Sequence, residues 1–190
     1  MNQPDCRDDL IRRNHEIRTV AEEGTILFSS ALAFREMIDA YIADGDGFLA
    51  KNDIRNAYAS YWYALGWMDA GIFLGLISPP TPGILLDFAR CTATDPDTGS
   101  LVEKTARYRS LLWQALESLE ISCDEGSSLF PAAEKILGIA GSTYREGIAL
   151  EEQGCIAGAL GAYSYGFAWL DAGARFGLFR IIKNRDIFTI

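Results

Sequence analysis

Trp67-Met68-Asp69-Ala70-Gly71-Ile72-Phe73-Leu74-Gly75-Leu76 returns 102 residues later as Trp169-Leu170-Asp171-Ala172-Gly173-Ala174-Arg175-Phe176-Gly177-Leu178. The pattern W-x-D-A-G-x-x-x-G-L is thus written twice in one chain of 190 residues. The same offset lays Glu23-Gly24 on Glu125-Gly126, Leu27-Phe28 on Leu129-Phe130, Gly45 on Gly147, Ile54 on Ile156 and Ala57 on Ala159. Tyr61 and Tyr63 fall on Tyr163 and Tyr165 in the same register. A register held without a net gap from residue 22 to 76 marks a tandem duplication of a whole supersecondary unit.

Apolar spacing reads each unit as three helices. In the first they run over Arg7 to Glu23, Ile26 to about Ala50 and Asp53 to Ile77; in the second over Val102 to Ile121, Leu129 to Glu152 and Cys155 to about Ile182. Gly24 and the region of Gly45 and Gly47 punctuate the joins, Asp44 and Asp46 reading as loop carboxylates. Asn52 or Asp53 suits the N-cap of the third helix, and Pro131 suits the first turn of the fifth. The reading divides the chain into a first, divergent unit (1–77), a Pro-rich linker (78–101) and a second unit with a C-terminal tail (102–190). Within the linker, Ile84 to Arg90 is too apolar for a free tether and is expected to form a short helix in a groove between bundles. The fold class is all-α, two tandem three-helix bundles related by a pseudo-two-fold duplication.

At about 100° per residue, the repeated segment sorts into faces. Tyr61, Ala64, Leu65, Met68, Gly71, Ile72 and Gly75 form one apolar stripe, where Gly71 and Gly75 are expected to admit a neighbouring helix. Trp67 borders the stripe and is expected to cap the core edge, with Trp169 as its counterpart. Asp69 and Asp171 lie at its edge, where a buried carboxylate needs partners: tyrosine hydroxyls or backbone N–H groups of the first or middle helix, and for Asp171 also Arg175, four residues on. The copies part company on a third face, which carries Trp62, Gly66 and Phe73 in the first and Ser164, Ala168 and Arg175 in the second. A helix apolar nearly all round is buried on both sides. Trp62 and Phe73 are therefore interface candidates, expected beneath the second unit, the Ile84 to Arg90 segment or another subunit.

The whole chain is 49% hydrophobic and 23% charged, enough to bury one sizeable core or two small ones, with a net charge of −9. Neither unit has the cationic balance from which nucleic-acid binding starts, so a nucleic-acid partner is disfavoured. No apolar run suits a membrane span. The polar, acidic start has no leader character, and the four cysteines (Cys6, Cys91, Cys123, Cys155) are scattered; a cytoplasmic protein with reduced thiols is expected. One histidine, His15, lies among charges on the first helix, its counterpart is Glu117, and no metal site can be built from it. No phosphate-binding glycine loop and no nucleophile elbow occur. Glu22-Glu23 and Glu151-Glu152 read as solvated helix ends. No catalytic residue, metal or cofactor is assigned.

The second unit resembles the archaeal domain of unknown function 357 family. The residues that carry the likeness are Glu103-Lys104-Thr105 with Tyr108, Glu125-Gly126, Tyr144, and Ala162-Tyr163-Ser164-Tyr165-Gly166 leading into Trp169 to Phe179. Residues 102 to 180 match well and 7 to 77 form a more divergent copy that has Phe73 where the pattern has arginine. The resemblance implies an up-and-down three-helix bundle with left-handed twist, an archaeal source and no established activity. It carries over no catalytic residue.

Three functional readings follow, the least favoured being RNA association through aromatics and the Lys183-Asn184-Arg185 tail. The first is a non-enzymatic protein-interaction or scaffold module, its partner another protein or a second copy of itself. The alternative is a small-molecule or nucleotide-binding protein, conceivably an enzyme, whose cleft between bundles is lined by Tyr61, Tyr63, Trp67 and Asp69 or by Tyr163, Tyr165, Trp169, Asp171 and Arg175. A closed, glycine-packed core with both aspartates bonded inward separates the first from the second.

Overall fold

Three helices and a short extended ribbon make one copy, and the chain builds that copy twice. The computed structural model describes residues 6–81, 87–89 and 98–189. The first copy holds α1 (Cys6–Glu16), α2 (Ile26–Ala50) and α3 (Ile54–Phe73); the second holds α4 (Thr98–Leu116), α5 (Phe130–Glu152) and α6 (Ile156–Phe176). Two short strands, β1 (Leu119–Ile121) and β2 (Phe179–Ile181), follow α4 and α6 and pair antiparallel. The fold is all-α, in two tandem three-helix bundles.

Local chemistry sets the helix ends. Asp53 caps α3, its carboxylate accepting the Asn56 N–H at 3.2 Å, after Asn52 turns the chain at φ 58°. Pro131 sits in the first turn of α5, where its missing N–H costs nothing. Gly75 and Gly177 take φ 70° and 90° and close α3 and α6 with left-handed turns. Gly75 has open space around it, so its use is conformational and not the close helix packing expected of it.

The first and third helices of each copy are shorter than their apolar spacing suggests. The chain leaves α1 at Glu16 and α4 at Leu116, and the residues beyond run extended. Ile121 pairs with Phe179 and Leu119 with Ile181; in the first copy Thr19 bridges Ile77, the same pairing 102 residues earlier. The glycine turns cause this, because they reverse the chain and lay it beside the exit of the first helix. Ile77 then folds back on Gly71, and Phe179 on Gly173, where a Cβ would come within 2.6 Å and 2.5 Å of those side chains.

Gly45 and Gly47 do not break the middle helix, against the loop expected there. α2 runs through both, and the ring of Tyr61 lies so close over Gly45 that a Cβ there would meet it at 2.4 Å. Gly147 and Tyr163 repeat the contact in the second copy. The expected linker helix, Ile84 to Arg90, lies mostly outside the described residues; its described part, Asp87 to Ala89, is a turn.

The core is continuous across the duplication. Phe34, Ile38, Trp67 and Met68 of the first copy and Ile136, Leu170 and Leu112 of the second belong to one buried cluster. α3 packs against α6 as the main contact between copies. At its centre Gly66 faces its own counterpart, Ala168, so closely that a Cβ on Gly66 would sit 2.6 Å from the Ala168 Cβ. A residue that touches its own counterpart marks a pseudo-two-fold axis.

Candidate functional site

The residues singled out from the sequence gather along the α3–α6 seam, but in two separate groups. One group crosses between the copies. The Tyr63 hydroxyl donates to the Asp171 carboxylate, and the Tyr165 hydroxyl donates to Asp69 at 2.8 Å. Tyr63 and Tyr165 are counterparts, as are Asp69 and Asp171, so the pair of bonds is one bond repeated by the pseudo-two-fold relation. Tyrosine hydroxyls do hold the aspartates; they come from the third helix of the opposite copy, not from a first or middle helix.

The two ends of this arrangement differ. Asp171 is 0% exposed and takes a second set of bonds from the Thr189 N–H, at 3.1 and 3.2 Å to its two oxygens. The C-terminal tail supplies that donor, after a 3-10 turn over Arg185–Ile187, and Phe188 stacks on Phe167 beside it. Tyr41 closes the other side, its ring 4.3 Å from that of Tyr63. Arg175 makes no part of this, since it lies exposed on the far side of α6, and the expected ion pair with Asp171 is absent. Asp69 keeps some exposure and faces the field of Arg13 on α1.

Burial decides the protonation chemistry. It raises both aspartates above the ordinary carboxylate range, against the lowering effect of the tyrosine hydroxyls and, for Asp171, of Thr189. It also holds the Tyr63 and Tyr165 hydroxyls protonated far into the alkaline range. Each tyrosine is fixed as a donor and each carboxylate as an acceptor. Both functions are spent inside the seam.

Tyr61 and Tyr163 form the second group, and each looks into its own copy. Tyr61 donates to Asp46 at 2.7 Å and accepts from Arg7 at 3.2 Å, while Arg7 also bonds Asp46 at 2.8 Å. Burial and the Asp46 carboxylate push the Tyr61 hydroxyl up to about 12. Tyr163 donates to Glu151 at 2.6 Å, and Arg109 reaches the same carboxylate at 3.0 Å. Arg7 and Arg109 are counterparts, whereas Asp46 and Glu151 stand one helical turn apart in the aligned register. Both carboxylates had the look of loop or solvated helix-end groups. The signal for the triads was the recurrence of arginine at the same offset on each first helix.

The tryptophans are packing groups. Trp67 does not cap the core edge; it is fully buried, edge-on to Phe34 at 4.9 Å. Trp169 is buried as well and lies between Tyr165 and Phe73. Trp62 is 3% exposed, with Phe88 of the linker 4.5 Å away and Gly161 of the second copy directly beneath its indole. A Cβ at Gly161 would fall 2.8 Å from the indole nitrogen. Phe73 differs, since at 41% exposure it only leans on Trp169, at 5.8 Å.

Among the described residues no three His, Cys, Asp or Glu side chains converge as a metal cluster, and no helix is long and apolar enough to cross a membrane. His15 is exposed.

The family model described as "Protein of unknown function (DUF357)" matches the chain in two segments, residues 10–77 and 107–179. The chain therefore belongs to that family, in two tandem copies. No curated protein and no solved structure matches it.

Proposed function

We propose that this two-copy member of the DUF357 family is a non-enzymatic protein-interaction or scaffold module of the cytoplasm. The observation that carries the reading is the reciprocal seam, Tyr63 to Asp171 and Tyr165 to Asp69. Of the groups that would have lined a ligand cleft, Tyr63, Tyr165, Asp69 and Asp171 bond one another, and Gly66 and Gly161 bring the two copies into close contact. Asp171, 0% exposed and bonded by both Tyr63 and Thr189, is closed to a substrate proton. The free thiols of Cys123 and Cys155 suit a reducing compartment.

The outward surface offers what a partner protein needs. Trp113 on α4 is half exposed beside Tyr144, and Val102 is exposed on the same helix. Tryptophan is enriched among residues that dominate binding energy at protein interfaces. The test is affinity capture from source-cell lysate with the full chain and a Trp113→Lys variant as baits, analysing both proteins and small molecules. The expected result is a protein retained by the first bait and lost from the second. A small molecule held in stoichiometric amount by the full chain and released by Tyr165→Phe would place a ligand in the seam and overturn the module reading.

A further inference from the structure

The molecule is acidic, yet one cleft gathers positive charge. It has a volume of about 340 Å³ and is lined by Arg55 and Asn56 in the first turn of α3 and by Ser100, Glu103, Lys104 and Arg107 on α4. Among the described residues the lining holds three cationic side chains and one carboxylate, in a chain of net charge −9. We infer that this cleft binds the phosphate group of a small phosphomonoester.

Lys104 is the residue that asks for an anion. It is only 8% exposed, and its ammonium group donates to the neutral side-chain oxygen of Asn56 while lying 4.7 Å over the Tyr108 ring. An ammonium has three donors, and burying it without an opposite charge is costly. The nearby Asp53 does not supply direct contact, because its carboxylate is taken by the backbone and side-chain N–H groups of Asn56 as the cap of α3. Asn56 therefore fixes the position of Lys104 and leaves the remaining donors toward the cleft. Arg107, one turn further along α4, is exposed and makes no ion pair among the described residues.

The helix geometry adds to this charge. The first turn of α4, a helix of 19 residues, borders the cleft through Ser100, and helix N-termini favour anions, whereas the N-terminus of α3 is already capped by Asp53. Burial, with the repulsion of Arg107 and Arg55 outweighing the pull of Asp53, brings the Lys104 ammonium down to about 8. An arriving dianion reverses that penalty. The volume lies at the low end of small-molecule pockets, roughly 300–1,000 Å³, which suits a phosphate on a short carbon skeleton better than a large cofactor. The duplication does not repeat the side chains of the cleft: the counterparts of Lys104 and Arg107 are Asn2 and Asp5, and those of Arg55 and Asn56 are Ala157 and Gly158. It is a property of the fused chain, separate from the repeated seam.

The experiment is a titration of the full chain at pH 7 and constant ionic strength, followed by amide NMR shifts and isothermal calorimetry. The probes are inorganic phosphate, ribose 5-phosphate and a phosphoserine peptide. Saturable shifts at Asn56, Ser100, Lys104 and Arg107 are expected with the first two, tighter with ribose 5-phosphate. Lys104→Met and the exposed Arg107→Gln should each weaken binding about tenfold, the loss of one charge-assisted hydrogen bond. Binding of ribose 5-phosphate should also weaken as pH rises past the Lys104 value. Absence of saturation, or affinity unchanged in Arg107→Gln, overturns the site; a peptide bound more tightly than ribose 5-phosphate overturns the small-molecule assignment.

Discussion

Replacing Tyr63 by phenylalanine removes one hydroxyl, which bonds Asp171 and lies 3.5 Å from Thr189 Oγ1, so the cost is chiefly what the seam bond is worth. A hydrogen bond to a charged acceptor contributes about 1.5–3 kcal/mol, more when the acceptor is left buried. Asp171 is 0% exposed, so no water replaces the lost donor, and Thr189 is left as its partner. Tyr63→Phe is therefore expected to cost about 3 kcal/mol. Tyr165→Phe makes the same change at the counterpart position, but Asp69 keeps partial exposure, and water can take the vacated lone pair. About 1.5 kcal/mol is expected there. Two chemically identical deletions, related by the duplication, should thus differ about twofold in energy because their acceptors differ in burial.

Urea unfolding at neutral pH, followed by circular dichroism, gives both numbers from the midpoint shift at unchanged slope. The double-mutant cycle of Tyr63→Phe with Asp171→Ala then isolates the pair, with a coupling of about 2 kcal/mol expected. Equal costs for the two phenylalanine variants, or a coupling near zero, would refute the argument that burial sets the strength of this seam.

Three further outcomes follow from the same contacts. Because burial raises Asp171 in the folded chain, the folded state keeps that proton to higher pH than the unfolded chain does; the associated stability is complete below the ordinary aspartate range and declines as pH rises through the raised value. Asp171→Asn should lack that decline, and stability measured from about pH 3 to 7 for both proteins checks it, matching slopes counting against the burial argument. Gly66→Ala forces a Cβ to 2.6 Å from Ala168 and 2.7 Å from the Tyr165 carbonyl, and should cost about 1–3 kcal/mol, whereas Gly47→Ala, with open space around it in α2, should gain about 0.5–1 kcal/mol; thermal melts distinguish them. Phe73→Arg, which writes the second copy's residue into the first, should cost under about 1 kcal/mol, since Phe73 is already 41% exposed; a loss comparable to a core deletion would show that Phe73 is covered in solution.

The duplication and the six helices were legible because both are periodic signals: a fixed offset and an apolar spacing that repeats through every segment. The ribbons were not, because Ile77 and Phe179 continue the apolar spacing of α3 and α6 even though the chain has turned at Gly75 and Gly177. The alternation of buried Leu119, exposed Glu120 and half-buried Ile121 was there to be read, but three residues cannot outvote a long helical pattern. The helical faces mark the aspartates as needing partners, with tyrosine hydroxyls among them. Which tyrosine is beyond their reach, because helical spacing says which face a residue occupies and not which copy that face meets. The cationic cleft was less visible still: Arg55 and Lys104 are far apart in an acidic sequence, and only the approach of two helix N-termini brings them together.

Each copy carries both halves of the seam bond, a tyrosine donor and an aspartate acceptor six residues apart on one helix. A single unit with both halves is self-complementary, the requirement for an isologous pair. Two identical copies of the second unit would meet an obstacle, though. On the axis Ala168 would face Ala168, where the present packing tolerates a Cβ on one side only. Off the axis, Ser164 would face Gly161 and leave unfilled the space that Trp62 occupies. Gly66 and Trp62 resolve both problems at once, one by removing a Cβ and the other by filling the gap over Gly161. A homodimer cannot make such paired, unequal changes, because any substitution appears on both sides of its axis. Covalent fusion frees the copies to diverge, and the divergent face first noticed in the sequence is where this pair of helices has used that freedom.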